Sequence, residues 1–457
     1  MELSKKLTPK DLAPGLEHCF DLAGKKLRAI DKRWDRAKGT PVITRQGKYA
    51  AQGWTEWTEG FLYGMGLLHF DATGDSESLD WARQKTVAHM SNHLTHIGVH
   101  DHGFNNVSTY GNLRRLALEG RFGATPEELA FYELALKVAG AVQAARWTET
   151  SDGSGFIHSF NGAHSLFVDT VRSVRALVLA DQLGQVLMGE NDRRISLLDR
   201  AIQHLGNTAR YNVYYGAGRD AYDERGRTAH EAIFNVKDGA FRCPSTQQGY
   251  SPFSTWTRGL AWALLGFAEQ LEFFDALPAA TIAPFCAKRD LIATLREAAT
   301  ATADFYLANT PTDGIPYWDT GAPGLAHMGD WRARPAEIDN PHEPVDSSAA
   351  AIAAQGLLRL GHTLGPKAAG KRYWQAGLTV SEPLFSERYL SVGTRHEGLL
   401  LHVVYHRPRG WDYIPKGKRV PQGESALWGD YHLLELAVYL QRTIKSSPYL
   451  TFSGPID

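Results

Sequence analysis

The chain has 457 residues and a formal net charge of −1, so it can bury a large core and has no global field to draw it to nucleic acid or a membrane surface. Its apolar and charged shares are those of an ordinary globular protein, which excludes a disordered or fibrous chain. No apolar run of about 18 residues occurs, so no membrane span is expected.

Hydrophobic periodicity predicts about twelve amphipathic helices separated by turn-rich loops, near 12–33, 54–71, 77–98, 107–119, 126–147, 165–184, 193–211, 253–275, 288–308, 346–362, 370–384 and 428–443. In the 165–184 segment Leu166, Val171, Val174, Leu177 and Val178 form one stripe, and Gly184 stands where a helix stop is expected. Strand signals are few; the best is 227–242, where Lys237-Asp238-Gly239 reads as a hairpin turn. Asp346-Ser347-Ser348 is a good N-cap for the helix that follows, and Gly361 offers it a stop. No linker or charge block divides the chain, so residues 1–457 are expected to form a single domain. Twelve helices suggest six hairpins closed into a ring, an all-α (α/α)6 toroid with a small β-hairpin insertion. An open helical solenoid competes, and periodicity alone does not choose.

Cys19, Cys243 and Cys286 are widely spaced and form no metal-type pair, which fits a reducing compartment. The first residues lack the apolar stretch of a signal peptide, so a cytoplasmic address is expected. Aromatic residues gather in segments read as loops or helix ends, among them Trp54, Trp57, Phe104, Trp256, Trp262, Trp411 and Trp428. Such rings suit the C–H face of a pyranose, although most tryptophans simply fill cores.

Three clusters can carry chemistry. His100-Asp101-His102-Gly103 puts an acid between two imidazoles and suits a metal, an acid/base or a helix cap; on an extended chain the three side chains alternate in direction and make a poor chelating trio. Asp169 lies inside the apolar run LFVDTVRS. Burial there raises a carboxyl pKa, as a general acid near neutral pH requires. The alternative is a buried Asp169 paired with Arg172 or Arg175. The third cluster runs from Thr246 to Trp262 and packs amides, hydroxyls, indoles and Arg258 together; a guanidinium fork suits a carboxylate. Nucleotide-binding and hydrolase motifs of the GxxxxGK[ST], GxSxG and HExxH types are absent.

The order WTEGF (57–61), HDHGF (100–104), FVDT (167–170), TQQGYSPFSTWTRGLAW (246–262), DSSAAAIAA (346–354) and ESALWGDYHLLELA (424–437) resembles the unsaturated glucuronyl hydrolases, glycoside hydrolase family 88. The resemblance implies the toroid with a site in its central funnel. It also implies a substrate, an oligosaccharide left by a polysaccharide lyase, whose non-reducing end is a 4,5-unsaturated uronic acid. Asp169 corresponds to the family's general acid/base and Asp101 to its second essential carboxylate. His100, His230 and Gln248 match substrate- and water-contacting positions, and Trp57, Trp256, Arg258 and Trp262 match the sugar subsites. No metal or organic cofactor is implied, and a monomer or homodimer is expected. The chain departs from the common pattern at Ser159-Phe160, Gln247 and Pro252-Phe253.

The rival readings are an unsaturated rhamnogalacturonyl hydrolase, a toroidal sugar epimerase and a non-catalytic glycan binder. HDxGF argues against the first. The second needs paired histidine bases, which His100, His230 and His432 are not arranged to show, and the third needs neither Asp101 nor Asp169.

Overall fold

Two kinds of helix alternate along the chain. Glu59–Thr73, Thr257–Ala276, Ser347–Leu364 and Leu427–Ile444 are buried on nearly all sides, as a helix without a charged face must be. Ala13–Arg33, Ser76–His89, Pro126–Ala145, Leu197–Tyr211, Lys288–Ala308 and Ala368–Leu384 keep one face in solvent. The computed structural model describes residues 1–53, 56–393 and 395–455; Trp54, at the expected start of one helix, lies outside them.

Two further inner members are irregular. One runs through His102–Asn106, a π-helical turn Val107–Gly111 and Asn112–Leu118; the other through Thr170–Ser173 and Arg175–Gln182. Breaks of this kind are frequent at functional sites. Each inner helix packs on the next, and Leu427–Ile444 returns to pack on Glu59–Thr73. That closure decides between ring and solenoid. The fold is an (α/α)6 toroid.

Several boundaries differ from the sequence expectation. The 165–184 segment begins as a strand, Ser165–Phe167, which pairs antiparallel with Glu231–Phe234; the latter pairs with Phe241–Ser245. The expected hairpin is thus present, shifted a few residues, and it recruits a third strand. Residues 194–196 likewise pair with Val186–Met188. The helix there starts only at Leu197, where the Ser196 hydroxyl accepts from the Asp199 amide at 3.1 Å. Among the described residues nine short strands form four small sheets, more than the sequence signals suggest. The 77–98 helix breaks at Met90.

Gly184 ends its helix as expected, with φ +78° and its amide on the Asp181 carbonyl. Gly361 does not stop its helix. The helix continues to Leu364, and Gly365 at φ +78° ends it. A Cβ on Gly361 would meet the Trp374 nitrogen at 2.5 Å, so this glycine lets two helices cross closely. Among the described residues no helix is long and apolar enough to cross a membrane.

Candidate active site

The site depends on one close crossing. A Cβ on Gly103 would stand 2.0 Å from the Ser173 carbonyl oxygen, so only glycine lets the HDHGF segment meet the Thr170–Ser173 turn. The Gly103 amide donates to the Ser173 hydroxyl at 3.0 Å. That hydroxyl and the Gln143 amide both donate to the His100 carbonyl. The crossing locks His100 and Asp101 beside Asp169. Asp169 sits not in mid-helix but just ahead of the turn.

His100 stands between the two carboxylates. Its Nε2 is 3.1 Å from Asp169 Oδ2 and 3.6 Å from Asp101 Oδ1. His102 turns away and bonds the His96 carbonyl at 3.0 Å, so it does not join His100 and Asp101 in one cluster. Among the described residues His100, Asp101 and Asp169 are the one group whose donor atoms, within 4.8 Å of one another, lie close enough to hold a cation.

Arg172 and Arg175 are not partners of Asp169. Arg172 forks onto Glu269 at 2.9 and 3.2 Å and reaches Glu435 at 2.6 Å, and Arg175 also faces Glu269. These fully buried charges form a floor behind the site.

The electrostatics correct one expectation. Burial does push the Asp169 carboxyl up, but the hydrogen bond and charge of His100, with His230 nearby, outweigh it and hold the group below the usual carboxylate value. Burial dominates at Asp101 and raises it to about 6. Burial opposes the charged form of His100, yet the two carboxylates overcome it and raise its pKa. Both shifts favour a proton on His100 over one on Asp169.

His230 approaches Asp169 from the other side. The Val168 amide donates to the His230 carbonyl at 2.9 Å, which aligns the two segments. His230 Nδ1 accepts from the Gln247 and Gln248 amides at 3.0 and 3.3 Å. An accepting Nδ1 requires the ring proton on Nε2. Nε2 lies 4.0 Å from Asp169 Oδ1, and neither atom has a hydrogen-bond partner among the described residues. Burial lowers the His230 pKa to about 4, so the ring stays neutral. The gap offers one donor and one acceptor to a small polar group.

A partly open cavity lies above these groups. Of the residues expected from sequence, Trp57, Asp101, Gln248, Trp256 and Trp262 line it together with His100, Arg258 and Asp169; His230 lies behind, its ring 4.6 Å from that of Trp256. Trp57 stacks on Trp428 at 5.2 Å, and Trp262 packs on Phe104 at 4.9 Å. Phe160 stacks on His100 at 5.8 Å and supplies a smaller wall.

Arg258 lines the cavity, but its fork is committed elsewhere. Nη1 donates to Asp346 Oδ2 at 2.7 Å and to the Val404 carbonyl; Nη2 donates to Gln248 Oε1 at 2.7 Å and the Tyr405 carbonyl at 2.8 Å. Asp346 in turn caps the Ser347–Leu364 helix through the Ser348 amide at 3.1 Å. The expectation of a free carboxylate clamp therefore gives way to a brace. Arg258 fixes Gln248 with its carbonyl inward, so the Gln248 NH₂ is the group left to face the cavity. Sequence reasoning missed Phe167, Tyr405 and His406 as lining residues. The signal for the last two was the ring-rich stretch YHRPRGW, of which only Trp411 was singled out.

No protein-family model matches the chain. Over 433 residues it is 25% identical to an unsaturated glucuronyl hydrolase of Bacillus sp. (strain GL1), covering 93% of this chain and 96% of that one. It is also 25% identical over 426 residues to an unsaturated chondroitin disaccharide hydrolase of Streptococcus pyogenes serotype M1, covering 92% and 90%. The crystal structure of the unsaturated glucuronyl hydrolase of Bacillus sp. GL1, responsible for the degradation of glycosaminoglycan, superposes with a TM-score of 0.70 at 23% identity, covering 94% of this chain and 97% of that one. The chain resembles the unsaturated glucuronyl hydrolases over nearly its whole length, in sequence and in fold.

Proposed function

We propose that the chain is a glycoside hydrolase that releases a 4,5-unsaturated uronic acid from the non-reducing end of lyase-generated oligosaccharides. The observation that carries this reading is His100 set between Asp101 and Asp169 beneath an aromatic cavity. Such a site delivers one proton from a buried store and offers ring faces to a sugar. The names of the relatives favour a glucuronyl over a rhamnogalacturonyl substrate.

The chemistry follows from the groups. The proton passes from His100 to Asp169 across their 3.1 Å contact as Asp169 gives it up to the sugar. Asp169 delivers it to C4; the C4=C5 electron pair forms the new C–H bond, and the ring oxygen shares the cation left at C5. Asp101 stabilises that cation, since an opposite charge in a buried site acts strongly. A water held between His230 Nε2–H and Asp169 Oδ1 adds to C5 and returns its second proton to Asp169. The C5 hemiketal opens, leaving C1 as a hemiacetal that expels the leaving sugar. One water is consumed and no bond forms between protein and sugar, unlike two-carboxylate hydrolysis with a nucleophile.

Site residues come from Trp57 to Tyr405 and the ring closes through Leu427–Ile444, so the reading takes the whole chain as one catalytic domain. Its three free cysteines fit a cytoplasmic enzyme. The test is loss of the ultraviolet absorbance of the conjugated enoate with an unsaturated disaccharide, with deuterium placed at C4 in heavy water. Equal turnover of the saturated uronide overturns the reading.

A further inference from the structure

Tyr222, Tyr250 and Phe253 are large aromatic residues left 60%, 52% and 43% exposed. Single exposed rings need no explanation, but grouped ones do. The Tyr222 and Phe253 rings lie 5.1 Å apart at 33°. Tyr250 adds a third ring three residues before Phe253, on the same loop.

The two loops that carry these rings are tied down. Asp223 accepts the amides of Gly216, Ala217 and Arg219 at 2.9, 3.0 and 2.7 Å, and the Tyr222 amide donates to Asp220 Oδ1 at 2.8 Å. Buried Arg227 holds Asp220 at 2.6 Å and the Pro252 carbonyl at 3.4 Å, which joins one loop to the other. The Tyr250 amide is fixed on Asp319 Oδ2 at 2.8 Å. Rings held out by braced backbone lose little entropy on binding.

The platform shares a loop with the cavity wall. The loop that lifts Tyr250 and Phe253 into solvent also sends Gln247, Gln248 and Trp256 into the cavity wall. Three rings offer far less than the roughly 800 Å² per partner of a stable protein interface. They match the apolar C–H faces of sugars.

We propose that Tyr222 and Phe253, with Tyr250, form a distal sugar platform that holds the reducing-end units of oligosaccharides longer than a disaccharide. This inference rests on the proposed function for its substrate.

The experiment compares unsaturated di-, tetra- and hexasaccharides with wild type, Tyr222→Ala and Phe253→Ala. Wild type should show a lower KM for the longer chains. Each variant should lose roughly three- to tenfold in kcat/KM on the hexasaccharide, as expected for one lost ring contact, and stay within about twofold of wild type on the disaccharide. Calorimetric binding of the hexasaccharide to Asp169→Asn, with and without Phe253→Ala, reads the platform without turnover. If no unsaturated sugar is consumed while Phe253→Ala still weakens hexasaccharide binding, the proposed function falls and the platform stands. Equal losses on all chain lengths, no length preference in wild type, or a Phe253→Ala effect that appears only as dissociation of a dimer in sedimentation overturns the platform.

Discussion

His100 Nε2 lies 3.1 Å from Asp169 Oδ2, and this contact joins the buried imidazole to the carboxylate proposed as the acid/base. Asp169→Asn removes both the acid and the water's proton acceptor while keeping the size of the side chain. Turnover of an unsaturated disaccharide should fall by about 10³ to 10⁴, in the upper part of the usual range for one general acid/base. The thermal midpoint should stay close to wild type. A folded variant that keeps a tenth of the wild-type rate removes Asp169 from the chemistry.

The pH profile should be a narrow bell. Its acid limb comes from Asp101, whose pKa burial raises to about 6: below that value the carboxylate is protonated and no longer stabilises the C5 cation. Its alkaline limb comes from His100, raised above the ordinary imidazole value, because the stored proton is lost as pH climbs through that pKa. Asp101→Asn should remove the acid limb of kcat/KM as well as lowering its plateau. A wild-type profile flat from pH 5 to 8 contradicts the arrangement.

The helices were legible because they rest on local chemistry, whereas the closed ring and the pairing of Asp101 with Asp169 were expected only from the family resemblance. Helix periodicity needs only neighbours along the chain, and HDHGF carries its glycine for one crossing at Ser173. What was misread depends on distant partners. Arg258 looked free because Asp346 stands 88 residues away, and the pKa of Asp169 was expected to rise because its hydrogen bond to His100 spans 69 residues. Ser165–Phe167 continues an apolar helical pattern but takes strand geometry because Glu231–Phe234 pairs with it. Tyr405 and His406 lie on a stretch with no period to read.

Arg258 should behave as a brace. Arg258→Ala leaves Asp346 buried without its partner and frees Gln248 and the Tyr405 carbonyl, so a cost of about 3–5 kcal/mol in unfolding free energy is expected. Arg258→Lys cannot reproduce the fork and should recover only part of that stability. Crossing Arg258→Lys with a methyl-ester substrate should give a coupling within about 0.5 kcal/mol of zero. A larger coupling in kcat/KM would put the guanidinium on the substrate carboxylate.

The floor of buried charge should matter for folding and not for the titration of the site. Arg172 neutralises Glu269 and Glu435 and contacts His432. Arg172→Met leaves those carboxylates short of a partner and should destabilise by about 3–5 kcal/mol, as for other broken buried pairs. The pH limbs of any folded variant should remain where the wild type has them. Displaced limbs would mean that the floor tunes the carboxylates above it.

His230 should act as a neutral donor throughout the working pH range. Two backbone amides, those of Gln247 and Gln248, point at Nδ1, so protonating that nitrogen breaks both hydrogen bonds within a buried site. Burial adds to the cost and brings the pKa to about 4. Nitrogen NMR of labelled protein should therefore show one His230 ring in the Nε2–H tautomer, unchanged from pH 5.5 to 9, while His100 titrates. With Nε2–H fixed, His230→Gln retains a donor of similar reach and His230→Ala does not. His230→Ala should lower kcat by about 10² or more, within the range of a group acting in the transition state, and His230→Gln should recover part of it with little change in KM. A His230 ring that titrates near pH 6.5, or a His230→Ala loss carried only in KM, removes it from the water-holding role and leaves it a wall of the sugar cavity.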